Sequence, residues 1–287
     1  MARVLIGAHV SSAGGLDSAV ARAVDLGVEA AQLFTQSPRM WRQTTHSPQS
    51  LERFRLRRRE ADLSAVVCHA IYLINLASPD DALSTRSVDA LVRTVEIAAE
   101  IEAEAVVLHV GSHLGAGLDA VMGQIVAGLE RGLGACEGGT HILLENSAGA
   151  GGTVGRSLDE LARIDAAVGS PEELGLCLDT CHLWVSGVDV TSPTVVDALV
   201  AEVDETFGLA RLECLHVNDA RDAIGSNRDR HGNLGRGKIG EELAVFLAHP
   251  SFANLPAILE TPGTKGRGPD AGEVAKLRAM APPPVAG

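Results

Sequence analysis

Three observations on this 287-residue chain predict an α/β fold, a single (β/α)8 barrel with its site at the carboxyl ends of the strands. Eight short apolar runs rich in β-branched residues alternate with amphipathic helical stretches. The runs are almost continuously apolar, as parallel strands are when helices cover them on both sides. Eight such units follow one another without a linker or composition shift, in a chain of the usual barrel length. An open doubly wound sheet is the alternative architecture.

The units are justified in chain order. Strand-like runs occupy residues 4–10, 31–35, 65–70, 105–111, 141–146, 174–180, 212–219 and 257–261. Helical periodicity falls between them, over 16–26, 51–63, 88–101, 121–133, 158–168, 195–207 and 243–247. Ser157-Leu-Asp-Glu160 reads as a capping box, and Ser47-Pro48 and Ser192-Pro193 read as helix starts. Residues 1–280 form one expected domain. The closing Ala-Pro-Pro-Pro-Val-Ala-Gly, 281–287, reads as a flexible tail.

Composition narrows the function. With 24 Lys and Arg against 37 Asp and Glu, the net charge of −13 argues against a general polyanion binder. The N-terminus lacks a signal-like apolar segment, and no run is long and apolar enough to span a bilayer. Five cysteines without a CxxC pair, four of them in apolar runs, suggest free thiols in a reducing compartment. A soluble cytoplasmic protein is expected. The arginines at 53, 55, 57, 58 and 59 read as the solvated outer face of a helix.

The strongest signal is positional. His9, His69, His109, Glu145, Asp179, His216 and Glu260 each stand at the end of a strand-like run. From His69 onward the spacings are 40, 36, 34, 37 and 44 residues, about one βα unit each. One such residue alone would be a satisfied polar group on the rim. Six in phase would converge on one rim of a barrel. Asp179-Thr-Cys-His182 and Asp229-Arg-His231 add further donors. Five imidazoles and four carboxylates suit zinc, with manganese or iron as possible substitutes. Nine donors exceed one tetrahedral site and suggest two or three ions sharing a bridging carboxylate, an arrangement typical of phosphoester hydrolysis. Gly235-Arg-Gly-Lys-Ile-Gly240 matches a dinucleotide fingerprint by letters but does not follow a strand directly. It reads either as a plain turn or as a phosphate-approaching loop.

Several motifs carry a family resemblance. Gly7-Ala-His-Val-Ser-Ser-Ala-Gly-Gly15, Tyr72-Leu-Ile-Asn-Leu76, His109-Val-Gly-Ser-His113, Glu145-Asn-Ser-Ala-Gly149, Leu178-Asp-Thr-Cys-His182, His216-Val-Asn-Asp219, Asp229-Arg-His231 and Leu259-Glu-Thr261 stand in order along the chain. Together they resemble the endonuclease IV family of apurinic/apyrimidinic (AP) endonucleases, which are xylose-isomerase-like TIM barrels. The resemblance implies three Zn²⁺ per chain: His69 and His109 on one, Glu145 bridging to a second held by Asp179, His216 and Glu260, and His182, Asp229 and His231 on the third. It implies Glu145 and Glu260 as catalytic ligands, and His9 and His113 as supports of the site. It further implies hydrolysis of the phosphodiester 5′ of an abasic nucleotide in duplex DNA, leaving a 3′-hydroxyl and a 5′-deoxyribose phosphate, with removal of 3′ blocking groups. Arg39, Tyr72 and Leu73 match positions that intrude into the base stack; without that context Tyr72 would be a packing residue and Arg39 a solvated one. Trp41 and Trp184 read as packing, and His46, His141 and His249 carry no assigned role. Val110, the Cys68 and Ala70 flanks of His69, and Gln36-Ser-Pro38 depart from the family pattern without removing a ligand. A monomer with no membrane partner is expected. A sugar isomerase or epimerase on the same barrel and a metal-stabilised DNA-binding protein without turnover are the competing functions.

Overall fold

A computed structural model describes residues 3–281. Eight strands close into a barrel, every neighbouring pair parallel: β1 (Leu5–His9), β2 (Ala30–Phe34), β3 (Ala65–His69), β4 (Ala105–Leu108), β5 (His141–Glu145), β6 (Leu174–Asp179), β7 (Leu212–His216) and β10 (Pro256–Leu259). The short strands β8 (Asp219–Ala220) and β9 (His231–Gly232) pair antiparallel outside the barrel, in the long excursion after β7. The closed sheet excludes the open doubly wound alternative. The last residues of the expected tail, 282–287, lie outside the described residues.

The helices wrap the barrel: α1 (Leu16–Leu26), α2 (Pro48–Glu60), α3 (Asp81–Glu100), α4 (Leu118–Leu133), α5 (Leu158–Val168), α6 (Thr180–Ser186), α7 (Pro193–Thr206), α8 (Leu243–Leu247) and α9 (Ala271–Met280). Local chemistry sets their ends. Helix α2 starts at the expected Ser47-Pro48 signal, three residues before its apolar periodicity sets in: Ser47 accepts the Ser50 amide and Pro48 fits the first turn. Ser157 caps α5 as expected, but Glu160 reaches past it to the amides of Gly155 and Arg156. Helices α6 and α9 go beyond the expected set; both begin at an aspartate cap, Asp179 and Asp270.

Two layers of core hold the wall. Inside the barrel, Ala30, Ala65, Val67, Ala105, Val107, Leu143, Cys177, Cys214 and Ile258 interdigitate. Small residues alternate with larger ones there, as a narrow barrel requires. Gly7 admits the Ile258 side chain, since a Cβ at that position would collide with it. The apolar faces of the helices form the outer layer around the sheet. Cys68, Cys177, Cys181 and Cys214 are buried free thiols. The arginines of α2 lie on the outer face, paired with Asp17, Glu52, Glu102 and Glu104.

Candidate metal centre

The closed parallel barrel brings every carboxyl strand end to one rim. His69, Glu145, Asp179 and His216 are the last residues of β3, β5, β6 and β7; His109 and Glu260 stand one residue beyond β4 and β10. Helix α6 supplies the next donor. Asp179 Oδ1 accepts the His182 amide at 2.8 Å, so the Asp-Thr-Cys-His motif is a helix cap that turns His182 inward. The pairing of β8 with β9 brings His231 back to the rim with Asp229.

Glu145 is the hub. Its Oε2 lies 3.4 Å from His69 Nε2 and 3.2 Å from His109 Nε2. Its Oε1 lies 3.0 Å from His216 Nδ1 and 3.4 Å from His182 Nδ1. Glu260 Oε2 approaches His216 Nδ1 at 3.3 Å. On the far side, Asp229 spans His182 Nε2 and His231 Nε2, both at 3.2 Å, and His231 Nε2 is 3.6 Å from Asp179 Oδ2. All nine sequence-predicted donors are therefore together.

Two buried atoms in this cluster have no hydrogen-bond partner: Glu145 Oε2 and His231 Nε2. Buried polar atoms are seldom left so, and imidazole with carboxylate is the donor chemistry of divalent zinc-type ions. The ring orientations agree. His69 Nδ1 faces the Ala70 carbonyl at 2.6 Å and His182 Nδ1 the Asn146 carbonyl at 2.9 Å. A carbonyl only accepts, so each Nδ1 donates, leaving Nε2 for the centre. The donor set thus fits divalent cations.

Electrostatics point the same way. Burial would raise Glu145, yet His109 and His216 hold it well below the usual carboxylate range. Burial likewise opposes ionisation of Glu260, but His216 and His69 bring it down to about 2. Asp229, half exposed at the rim, falls well below the carboxylate range because the imidazoles of His182 and His231 lie against it, each at 3.2 Å. In return, Asp179 lifts His182, and Glu260 with Glu145 lifts His216, both well above the imidazole range against the pull of burial. His231 rises to about 9 on the same balance, chiefly through Asp179. Burial lowers His109, and it lowers His9 to about 4. Clustered carboxylates that draw positive charge onto their neighbours form a site suited to cations.

Supporting residues emerge that sequence reasoning missed. Gln32, wholly buried on β2, donates from Nε2 to Glu260 Oε1 at 2.7 Å and presents Oε1 to His216 Nε2 at 2.7 Å. Asn218 joins two ligands: its amide nitrogen donates to Asp179 Oδ2 at 2.7 Å, and its Oδ1 accepts the Glu260 amide at 3.0 Å. Asn146 Oδ1 accepts the Asp179 amide at 2.7 Å. Both asparagines follow a ligand within two residues, which is the signal that could have found them. Gln32 left no such mark. His9 lies 3.0 Å from the Gln32 amide and 3.8 Å from Glu260. His113 turns to its own loop, where Nδ1 accepts the amides of Gly115 and Gly117.

Beside the centre opens a cleft of about 780 Å³, lined in part by His9, Phe34, Arg39, Tyr72, Glu260 and Arg267. The Tyr72 amide donates to the Pro38 carbonyl at 3.2 Å, so the loops bearing Arg39 and Tyr72 are tied together. Tyr72 is 55% exposed, and its ring meets Phe34 and His69 edge-on. Leu73 is half-buried against the core. The glycine-rich loop at 235–240 does not offer its amides to a phosphate. Those of Gly237, Ile239 and Gly240 point at the buried carboxylate of Asp219.

Comparison with known proteins agrees with this geometry. The family described as "Xylose isomerase-like TIM barrel" matches residues 20–281. A protein called "Probable endonuclease 4" from Methanoculleus marisnigri is 39% identical over 97% of this chain and 99% of its own. The chain belongs to the endonuclease IV family. A second "Probable endonuclease 4", from Chloroflexus aurantiacus, is 37% identical over 96% of this chain and 97% of its own. The crystal structure of endonuclease IV from Thermus thermophilus superposes with a TM-score of 0.82 at 35% identity, covering 97% of each chain. A D-tagatose 3-epimerase-like protein shares the barrel at 18% identity and a TM-score of 0.70, a likeness of fold alone.

Proposed function

We propose that this chain is a metal-dependent AP endonuclease of base-excision repair. It hydrolyses the phosphodiester 5′ of an abasic nucleotide in duplex DNA, leaving a 3′-hydroxyl and a 5′-deoxyribose phosphate, and it also removes 3′ blocking groups. The observation that carries this reading is the convergence of nine imidazole and carboxylate donors around Glu145 in an endonuclease IV barrel. Sugar isomerases and epimerases on this barrel have no need of the additional His182–Asp229–His231 group.

His69, His109 and Glu145 would hold one ion; Glu145, Asp179, His216 and Glu260 a second; His182, Asp229 and His231 a third. Zinc suits these donors, with Mn²⁺ or Fe²⁺ as substitutes. When bound, such ions make a nucleophile available near neutral pH and neutralise charge on phosphoryl and leaving oxygens. The protein's own residues do the rest. Arg39 offers a guanidinium to the backbone phosphates at the cleft mouth. Tyr72 and Leu73 present apolar surface where a missing base leaves a gap, and the missing base lowers the cost of extruding the nucleotide. Partial burial, followed by the nearby Glu260 and Glu145 carboxylates, raises the Tyr72 hydroxyl to about 12, and the side chain is neutral beside the acidic rim. The five free thiols suit the reducing cytoplasm, and the protein acts as a monomer.

The test is incision of a duplex carrying one abasic site by zinc-loaded protein, with and without a strong chelator. Cutting on the 5′ side that the chelator abolishes is the expected result. Absence of incision by folded, metal-replete protein would overturn the reading, and turnover of a ketose by the same sample would favour a sugar epimerase.

A further inference from the structure

The excursion after β7 carries two donors of the centre, Asp229 and His231, yet it is long and irregular. A precise site on such a loop needs an anchor. Contacts from Asn227 to Ala148 and Val185 hold its tip, and at its base the anchor is a buried carboxylate. Asp219, with no exposed surface, accepts five main-chain amides: Ala220 at 2.8 Å and Ile239 at 3.0 Å on Oδ1, Gly237 at 2.8 Å and Arg236 at 3.2 Å on Oδ2, and Gly240 at 3.3 Å from both oxygens. Successive amides of this kind form an anion-binding nest. Here the anion is the protein's own. Gly237 is required for the approach, since a Cβ there would collide with the Ala220 carbonyl and the Asp219 carboxylate.

The latch connects directly to the donors. Asp219 and Ala220 form β8, whose register pairs Ala220 with His231 and Asp219 with Gly232. The Arg221 amide donates to Arg230 at 3.0 Å and the Lys238 amide to Ala220 at 2.6 Å. Both sides of the excursion are therefore fastened at one point beside His231.

We propose that Asp219 is a positioning residue: by gathering the amides of Arg236, Gly237, Ile239 and Gly240 it holds Asp229 and His231 in place for the cation they share with His182. The inference rests on the proposed metal centre but not on the reaction. It gives the glycine-rich motif a role inside the protein rather than toward a nucleotide phosphate.

The test compares Asp219→Asn with the natural chain, both loaded with Zn²⁺ and dialysed against graded chelator. The variant keeps the shape but turns an amide N–H₂ toward donors. One of the zinc ions should leave at 10- to 100-fold lower chelator, the range seen when supporting partners of metal ligands are changed. Amides of 229–240 should exchange hydrogen at least about tenfold faster while those of β3–β5 do not, because local opening is decoupled from the global fold. Added Zn²⁺ should refill the site. Zinc retained to within twofold of the natural chain would overturn the proposal. So would exchange that quickens evenly across the barrel, which would make Asp219 a general stability residue. Should Asp219→Asn fail to fold, Gly237→Ala strains the same latch from the loop side and is read by the same two measurements. Zinc content and exchange need no DNA, so failure of incision and failure of the latch are separately visible.

Discussion

Gln32 offers a sharp test of how the centre is organised. Glu260 is ionised, held down to about 2, and can only accept. Gln32 must therefore turn its amide nitrogen to Glu260 Oε1 and its oxygen to His216 Nε2, both at 2.7 Å. That oxygen obliges His216 to carry hydrogen on Nε2, which frees Nδ1 for the side shared by Glu145 and Glu260. Gln32→Met keeps the length and approximate volume but removes both functions. His216 is wholly buried and its Nε2–H would be left unpaired, a cost of about 1–3 kcal/mol. The lost bond to the Glu260 carboxylate adds about 1.5–3 kcal/mol, softened because Glu260 retains some exposure and lies near His9. Together the variant should lose about 2–5 kcal/mol of unfolding free energy, read by urea denaturation in chelator. Zinc affinity should fall about 10- to 100-fold in chelator competition. A stability loss of no more than about 0.5 kcal/mol, the size of an ordinary surface effect, together with an unchanged chelator midpoint, would refute the claim that Gln32 sets the ring of His216.

Glu145→Gln should abolish incision, by more than about 100-fold, while lesion binding suffers less; equal activity would deny the hub its role. Tyr72→Ala should leave zinc content unchanged and raise the Kd for abasic duplex about tenfold, as loss of one stacking surface does; a fall in turnover at saturating DNA with no change in Kd would argue against a binding role. Asp270 caps α9 and accepts four donors from Thr264, Gly272 and Glu273, and the Thr264 bonds lead in lowering its pKa to about 2. A lowered carboxylate stabilises fully above its ordinary value of 3.8 and loses that contribution as pH falls toward 2. Asp270→Ala should thus cost about 1 kcal/mol at neutral pH and progressively less below pH 3.8, with Asp270→Asn costing less than Ala because it still caps. Thermal melts across that window would show it, and a pH-independent difference would exclude the charge.

The centre was legible because a parallel barrel converts a repeat in sequence into proximity in space. A donor at the end of each βα unit has only one rim on which to stand, so His69 through Glu260 could be grouped before any distance was known. Gln32 could not be read that way. A lone polar residue in an apolar strand carries no mark of its partners, and those partners lie 184 and 228 residues away. The glycine-rich loop left two readings open for a similar reason: its amides identify an anion-binding turn, but only the fold reveals that Asp219 fills it. Helix α9 was hidden by weak amphipathicity and a glycine in its first turn, although Asp270 and Glu273 stand at capping-box spacing.

Net charge is a poor guide to what an acidic protein can hold, and the distribution of partners explains why. The arginines of α2 are committed to Asp17, Glu52, Glu102 and Glu104, so that basic run offers little to a phosphate backbone. Arg39 and Arg267 instead line the cleft beside the metal centre. The rim also gathers four carboxylates, Glu145, Asp179, Asp229 and Glu260. Counted with neutral imidazoles, as they are when they ligate, three divalent cations would carry its formal charge from about −4 to about +2, because bound ions are the largest charges in such a site. The positive field would then be confined to the cleft, while the rest of an acidic surface repels DNA over a Debye length of about 8 Å. Affinity in such a protein has to come from a nucleotide that enters the cleft. Under the proposed activity an abasic nucleotide would enter at the lowest cost, because the missing base reduces the unstacking needed to extrude it.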